Sequence, residues 1–216
     1  GLHLMSLINS TAIPSGATAY EIDQSLRFND DDTAYLNLTP SSAGNVDTWT
    51  FSAWVKVGNT VAGAQGIFYA SSGLDTNSNA TAIYFNDGGL LKIRQVTSSS
   101  QVLAVTSNAF LRDPSAWYHI VVACDTTQGT DTNRIKLYVN GELLSLSQAV
   151  YPSQNLDTYI NSTNIHVIGK YPSGSNYRWD GYIAETNLID GTALTPSSFG
   201  ETGDYGEWKP IEYSGS

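Results

Sequence analysis

An all-β chain, folded as a two-sheet antiparallel β-sandwich, is what this sequence of 216 residues predicts. Three observations carry the prediction. Apolar and polar residues alternate with period two over many short stretches, the signature of half-buried strands. Clusters of Gly, Asn, Asp, Ser and Pro punctuate those stretches at short intervals. No window of about 11 residues or more shows the apolar stripe of an amphipathic helix.

The longest alternating stretch runs from Trp49 to Val57. It places Trp49, Phe51, Ala53, Val55 and Val57 on one face, with Thr50, Ser52, Trp54 and Lys56 on the other. Ile135–Val139 alternates too, then meets Asn140-Gly141 before Leu143 and Leu144. An Asn-Gly pair between apolar runs predicts a two-residue hairpin, because a type I′ turn needs positive φ at both central positions. Further strands are expected at Leu26–Phe28, Ala34–Leu38, Gln65–Tyr69, Thr81–Phe85, Leu91–Val96, Val102–Thr106, Trp117–Ala123, Ile165–Ile168 and Gly181–Leu188. Turns are expected at 86–89, 113–115 and 172–176, and one short helical turn at Thr195–Phe199, where Pro196 suits a helix entry. Many short strands with regular turns read as a sandwich or jelly roll.

The sandwich is expected over residues 23–200. Residues 1–22 lack alternation and contain Pro14 and Gly16, so they read as an arm, with Gly1–Leu4 standing ahead of a native start at Met5. Residues 201–216 read as a tail that ends without a closing strand pattern, yet carries Tyr205, Trp208 and Tyr213. Apolar groups outside a closed sandwich need a partner surface. The expectation is therefore a closed homo-oligomer, with packing of both ends on their own sandwich, or onto a longer chain, as the competing arrangement.

Composition excludes several functions. Hydrophobic residues make up 41% and charged residues 14%, which argues against disorder across the chain. No apolar run approaches the roughly 18–20 residues that span a bilayer. Twenty acids against ten bases give a net charge of −10, with no basic stripe to neutralise phosphates or anionic lipid. Nucleic acid and membrane are not expected partners. The lone Cys124 sits in an apolar run and reads as a small core residue. Four Asn-x-Ser/Thr sequons, at Asn9, Asn37, Asn79 and Asn161, matter only in a eukaryotic secretory pathway. The three histidines show no zinc-ligand spacing, and Gly-x-Ser-x-Gly is absent.

Four segments taken in order resemble the concanavalin A-like lectin/glucanase superfamily in its laminin-G-like branch. They are Leu26–Asp30 with Ala34-Tyr35-Leu36; Thr50–Lys56; Trp117–Val122 with Leu137–Gly141; and Ile168-Gly169 leading to Trp179–Glu185. A narrower likeness is to laminin-G-like structural proteins of marine tailed phages, carried by Asp113–Val121, Asp190–Glu201 and Trp208-Lys209-Pro210 with Tyr213. The resemblance implies a concanavalin A-like jelly roll and a virion-surface or tail-fibre role on a capsid or tail, with other virion proteins and host-surface carbohydrate as partners and, by analogy with phage fibres, a trimer as the assembly. A ligand-free decoration or oligomerisation module is the alternative it leaves open.

Some relatives in the superfamily are glucanases, whose chemistry needs two carboxylates about 5–5.5 Å apart. The Glu-x-Asp-x-x-Glu string that supplies such a pair is absent, so no catalytic residue is assigned and hydrolysis is not expected. The resemblance also implies a structural calcium joining the first-strand loop to the Gly-x-Ile-x-Glu strand. The matching positions are Asn29, Asp30 and Glu185, although Asn29 stands where Asp is usual; the plain reading is a solvated acidic turn. Sugar recognition uses aromatic faces with planar polar groups. Tyr171, Asn176, Tyr177 and Arg178 have that chemistry, as does Asn77-Ser78-Asn79 with Tyr84, while aromatic packing is the ordinary use of such residues in a β domain.

Overall fold

The computed structural model describes residues 20–59, 63–86, 88–173 and 177–215. Alternation becomes strands in chain order: β1 (Leu26–Phe28), β2 (Leu36–Leu38), β3 (Thr48–Val57), β4 (Gln65–Ser71), β5 (Ala80–Asn86), β6 (Leu90–Thr97), β7 (Ser100–Phe110) and β8 (Tyr118–Asp125). They continue with β9 (Ile135–Val139), β10 (Glu142–Leu143), β11 (Leu146–Val150), β12 (Ile165–Ile168), β13 (Gly181–Asp190), β14 (Gly200–Thr202) and β15 (Trp208–Pro210). The expected helical turn is a single 3₁₀ turn at Pro196–Ser198.

Two antiparallel sheets face each other. One has the order β1-β13-β3-β8-β9-β10, and the other β11-β7-β6-β5-β4-β12-β2. The core between them takes the face of β3 that alternation assigns to it: Trp49, Phe51, Ala53, Val55 and Val57. Opposite stand Phe68, Ile83, Phe85, Ile93, Leu103 and Val105. Phe51 stacks on Phe68 across the two sheets with ring centroids 4.8 Å apart. Trp179 is fully buried with its ring edge-on to Phe85. Cys124 is buried in the same core. The Asn140-Gly141 turn forms as predicted, with φ of 47° and 86°, and joins β9 to β10.

Two elements differ from expectation. Leu146–Val150 pairs with β7 as a short edge strand, interrupted by a bulge that blurs its alternation. The tail does not end without a strand: β15 pairs with β14, and Tyr213 stacks on Phe199 at 5.1 Å. Trp208 and Tyr213 are therefore covered within the chain, while Tyr205 stays exposed. Of the expected arm, residues 1–19 lie outside the described residues. Tyr20 sits on the sandwich, donating a hydrogen bond to Glu185 Oε1 at 2.8 Å.

Candidate functional site

The sandwich leaves two outer faces, and they are used differently. On the six-stranded sheet, Trp54 turns outward and is buried beneath His119, its ring centroid 4.9 Å away. Trp208 from β15 lies against Gly141 and Gly200 and stacks over His119 at 6.0 Å. Trp208 Nε1 donates to His119 Nδ1 at 3.0 Å. Indole N–H is only a donor, so Nδ1 is unprotonated and Nε2 donates to Ser52 Oγ at 2.9 Å. Burial pushes the His119 pKa down to about 4. The chain's own tail covers this part of the face.

The outer face of the seven-stranded sheet carries a second aromatic cluster, separate from the core. Tyr69, Tyr84, Val167 and Tyr171 form it, with Tyr35 and Leu74 packed against them. Register explains how a strand with a regular pattern builds this surface. Leu91 and Ile93 go into the core, so Lys92 and Arg94 must project outward. Tyr84 stands opposite Lys92, and Arg94 stands between Ala82 and Ala104. Those two methyl side chains leave room for the guanidinium to lie across the sheet.

The turn after Lys170 brings aromatic rings over that floor. Tyr84 meets Tyr171 edge-on at 4.6 Å, and Tyr171 meets Tyr177 edge-on at 6.0 Å. Tyr177 is the exposed member of the three. Arg94 Nη1 donates to Tyr171 Oη and to Asn77 Oδ1, each at 3.0 Å, and its Nε donates to Gln101 Oε1 at 3.0 Å. Beside them the buried Lys170 pairs with Asp75 at 2.5 Å and lies 5.2 Å from the centroid of the Tyr35 ring. The buried Tyr69 hydroxyl has no hydrogen-bond partner among the described residues. Burial, then the Asp75 and Tyr35 charges, raise its pKa.

The residues expected from sequence are therefore sorted. Tyr171 and Tyr177 come together, and Asn77 and Tyr84 join them. Asn176 lies outside the described residues. Arg178 turns from the rings: its backbone bridges Lys170, and its Nη1 donates to Asp30 O at 3.3 Å. Arg94, Lys170, Asp75 and Tyr69 were not singled out by sequence. The alternation of Leu91–Val96 shows that Lys92 and Arg94 share a face, but not that a turn some eighty positions later covers it.

Asn29, Asp30 and Glu185 do not converge on one ion. Phe28 pairs with Gly181 and Leu26 with Ile183, so Asn29 leaves one end of that ladder and Glu185 the other. At about 3.3 Å per residue the separation is roughly 15 Å. Asn29 bonds Asp32 instead, and Glu185 accepts from Tyr20, whose pKa is raised to about 12 chiefly by that bond. Among the described residues, no group of three His, Cys, Asp or Glu side chains is arranged for a metal.

A third surface lies along the open side of the sandwich. Leu36, Leu38, Phe68, Ile168 and Leu188 line an apolar cavity there of about 290 Å³.

Solved structures with the same fold come from distant proteins. The Ruminococcus gnavus IT-sialidase CBM40 bound to α2,3-sialyllactose is 12% identical with a TM-score of 0.59, covering 82% of this chain and 95% of that one. Mouse laminin α1 domains LG4-5 are 14% identical with a TM-score of 0.57; the match takes in 91% of this chain and 47% of that one. The heptameric SAP-like pentraxin of Limulus polyphemus is 19% identical with a TM-score of 0.51, over 74% and 71% of the two chains. At these identities the likeness shows the fold. No curated protein matches the sequence. A family model does, over residues 30–198, and by that match together with its two-sheet sandwich the chain belongs to the concanavalin A-like lectin/glucanases superfamily, in its laminin G group.

Proposed function

We propose that the chain is a non-enzymatic glycan-binding module acting in adhesion on a phage virion. One observation carries the glycan reading. Tyr84, Tyr171 and Tyr177 gather beside Arg94 on a sheet face that takes no part in the core, with the Tyr177 ring open to solvent. An exposed ring flanked by planar hydrogen-bonding groups is suited to the apolar face and hydroxyl rim of a sugar. The sialyllactose bound by the R. gnavus CBM40 supports the reading, as a sugar ligand on the same fold. Against hydrolysis, the Asp75 carboxylate at this face is held by Lys170, and the glucanase carboxylate string is absent from the sequence. The virion setting rests on the phage-like segments at Asp113–Val121 and Asp190–Glu201.

A second reading has its own observation. Leu36, Leu38 and Leu188 are exposed along the open side of the sandwich, which suits an assembly contact within a virion.

The test of the glycan reading is a carbohydrate array followed by calorimetry on the strongest ligand. Tyr177→Ala is expected to weaken binding about tenfold, the loss of roughly 1.4 kcal/mol of ring contact. Its melting temperature should fall by only a few degrees at most, about what loss of the edge-on contact with Tyr171 costs. Unaltered affinity in this variant would place the ligand elsewhere.

A further inference from the structure

We infer that the glycan taken by this face is acidic, and that Arg94 receives its carboxylate or sulfate. The inference rests on the glycan-binding reading above and goes beyond it to the ligand's charge.

Arg94 is the observation. It is half-buried, and all its partners are neutral: the Asn77 amide, the Tyr171 hydroxyl and the Gln101 amide. A guanidinium carries five N–H donors. Nη1 uses two on Asn77 and Tyr171, and Nε uses one on Gln101. Among the described residues both Nη2 donors remain, and no carboxylate meets the charge.

Three other cations meet carboxylates instead. Arg27 Nη2 meets Asp180 at 2.7 Å, Lys170 meets Asp75 and Lys209 meets Glu201. Arg134 has neutral partners too, but it commits Nε, Nη1 and Nη2 to the carbonyls of Gln128, Pro152 and Gly129 and so staples a loop. Arg94 is fixed by three bonds and keeps one nitrogen over. In a chain with twice as many acids as bases, a guanidinium aligned by neutral groups is positioned for an anion brought from outside.

The chemistry of the match is specific. A hydrogen bond from a guanidinium to an anionic oxygen is about twice as strong as one between neutral groups. The planar edge of the guanidinium fits the paired oxygens of a carboxylate or sulfate. Three bonds formed in advance reduce the ordering that ligand binding must supply. The exposed Tyr177 ring lies beside Tyr171, so a sugar ring stacked there can present an acidic substituent to Nη2.

The experiment uses the full chain and three oligosaccharide series matched in length: uronate-containing, sulfated and neutral. Affinities are measured by calorimetry at low and high salt. At least one acidic series is expected to bind ten times or more tightly than the neutral series, and high salt should reduce that preference. Uronate binding alone identifies a carboxylate, and sulfated binding alone a sulfate; either supports the inference. Arg94→Gln should lose at least tenfold on the acidic ligand and little on the neutral one.

Equal affinity for neutral and acidic series, or an equal loss on both in Arg94→Gln, overturns the inference and leaves the glycan reading standing. Failure to bind any glycan overturns both. Should Arg94→Gln lower the melting temperature, Arg94→Lys carries the test, because it keeps the charge and loses the fork. It should bind the acidic ligand more weakly than the parent while still preferring it to the neutral one. Loss of that preference in a variant that retains the charge contradicts the assignment.

Discussion

Gly181→Ala is expected to destabilise the fold by about 4 kcal/mol, a large share of the roughly 5–15 kcal/mol that holds a typical domain. Gly181 opens β13 between Phe28 of β1 and Val57 of β3, with φ of +142°. A Cβ there would overlap the Lys56 carbonyl oxygen and crowd the Gly58 amide nitrogen, both backbone atoms that cannot swing away. The Gly58 amide is meanwhile held by Asp180 O at 2.8 Å. Relief would require parting β13 from β3 at the centre of the six-stranded sheet. Gly191→Ala is the control: φ there is +70°, yet a Cβ would meet nothing within 4 Å. It should cost only the backbone strain, about 1 kcal/mol. Chemical denaturation of the two variants beside the parent measures the difference. Equal, small losses would mean that the sheet yields at Gly181 without cost.

Acid is expected to remove about 3 kcal/mol of stability between pH 6.5 and pH 4 through His119. In the unfolded chain the imidazole titrates near 6.5, whereas burial holds it at about 4 in the fold. Below 6.5 the unfolded state takes up a proton that the native state refuses. The contribution is therefore complete above pH 6.5 and is lost as pH falls toward 4, by the 2.5-unit difference at 1.36 kcal/mol per unit, less what the half-protonated native state recovers. Protonation at Nδ1 would set N–H against the N–H of Trp208, so the β14–β15 hairpin should loosen in the same range.

Other groups act around this window. His166 is lowered by burial and adds to the acid loss. Asp47 is raised, first by burial and then by its bond to Asp157, and it opposes the loss. Asp113 and Asp125 are lowered and lose their contribution below the ordinary carboxylate range. The His119→Gln variant isolates the effect of this one ring. Its stability should change about 3 kcal/mol less than the parent's from pH 6.5 to 4. Parallel pH profiles would contradict the assignment of proton uptake to His119.

The sandwich was legible because core-facing apolar residues recur at every second position of strands such as β3 and β9. Trp49 to Val57 separates into a core face and an outer face by spacing alone, and Asn140-Gly141 can turn only one way. β11 was not legible, since its bulge between Leu146 and Gln148 breaks the period. β14 and β15 were missed for a different reason. Each has three residues, and the pairing depends on Trp208 finding Gly141 and Gly200, contacts with no local signature.

At the candidate site, Tyr171 and Tyr177 were legible as aromatics in a polar turn. Arg94 was not, because its meaning comes from three partners supplied by separate segments. The expected grouping of Asn29, Asp30 and Glu185 followed the order of motifs. Strand register decides distance, and the antiparallel pairing of β1 with β13 sends Asn29 and Glu185 to opposite ends of the ladder.

The most direct test of glycan recognition at the tyrosine face is nuclear magnetic resonance of the ¹⁵N-labelled chain during titration with the strongest array ligand. Shift changes are expected in the backbone amides of Ala82, Tyr84, Arg94, Tyr171 and Tyr177 and in the Arg94 Nε–H resonance, with the core amides of β3 and β8 unmoved. Changes confined to Leu36, Leu38 and Leu188, or to the tail around Trp208, would contradict the account and move recognition to another surface.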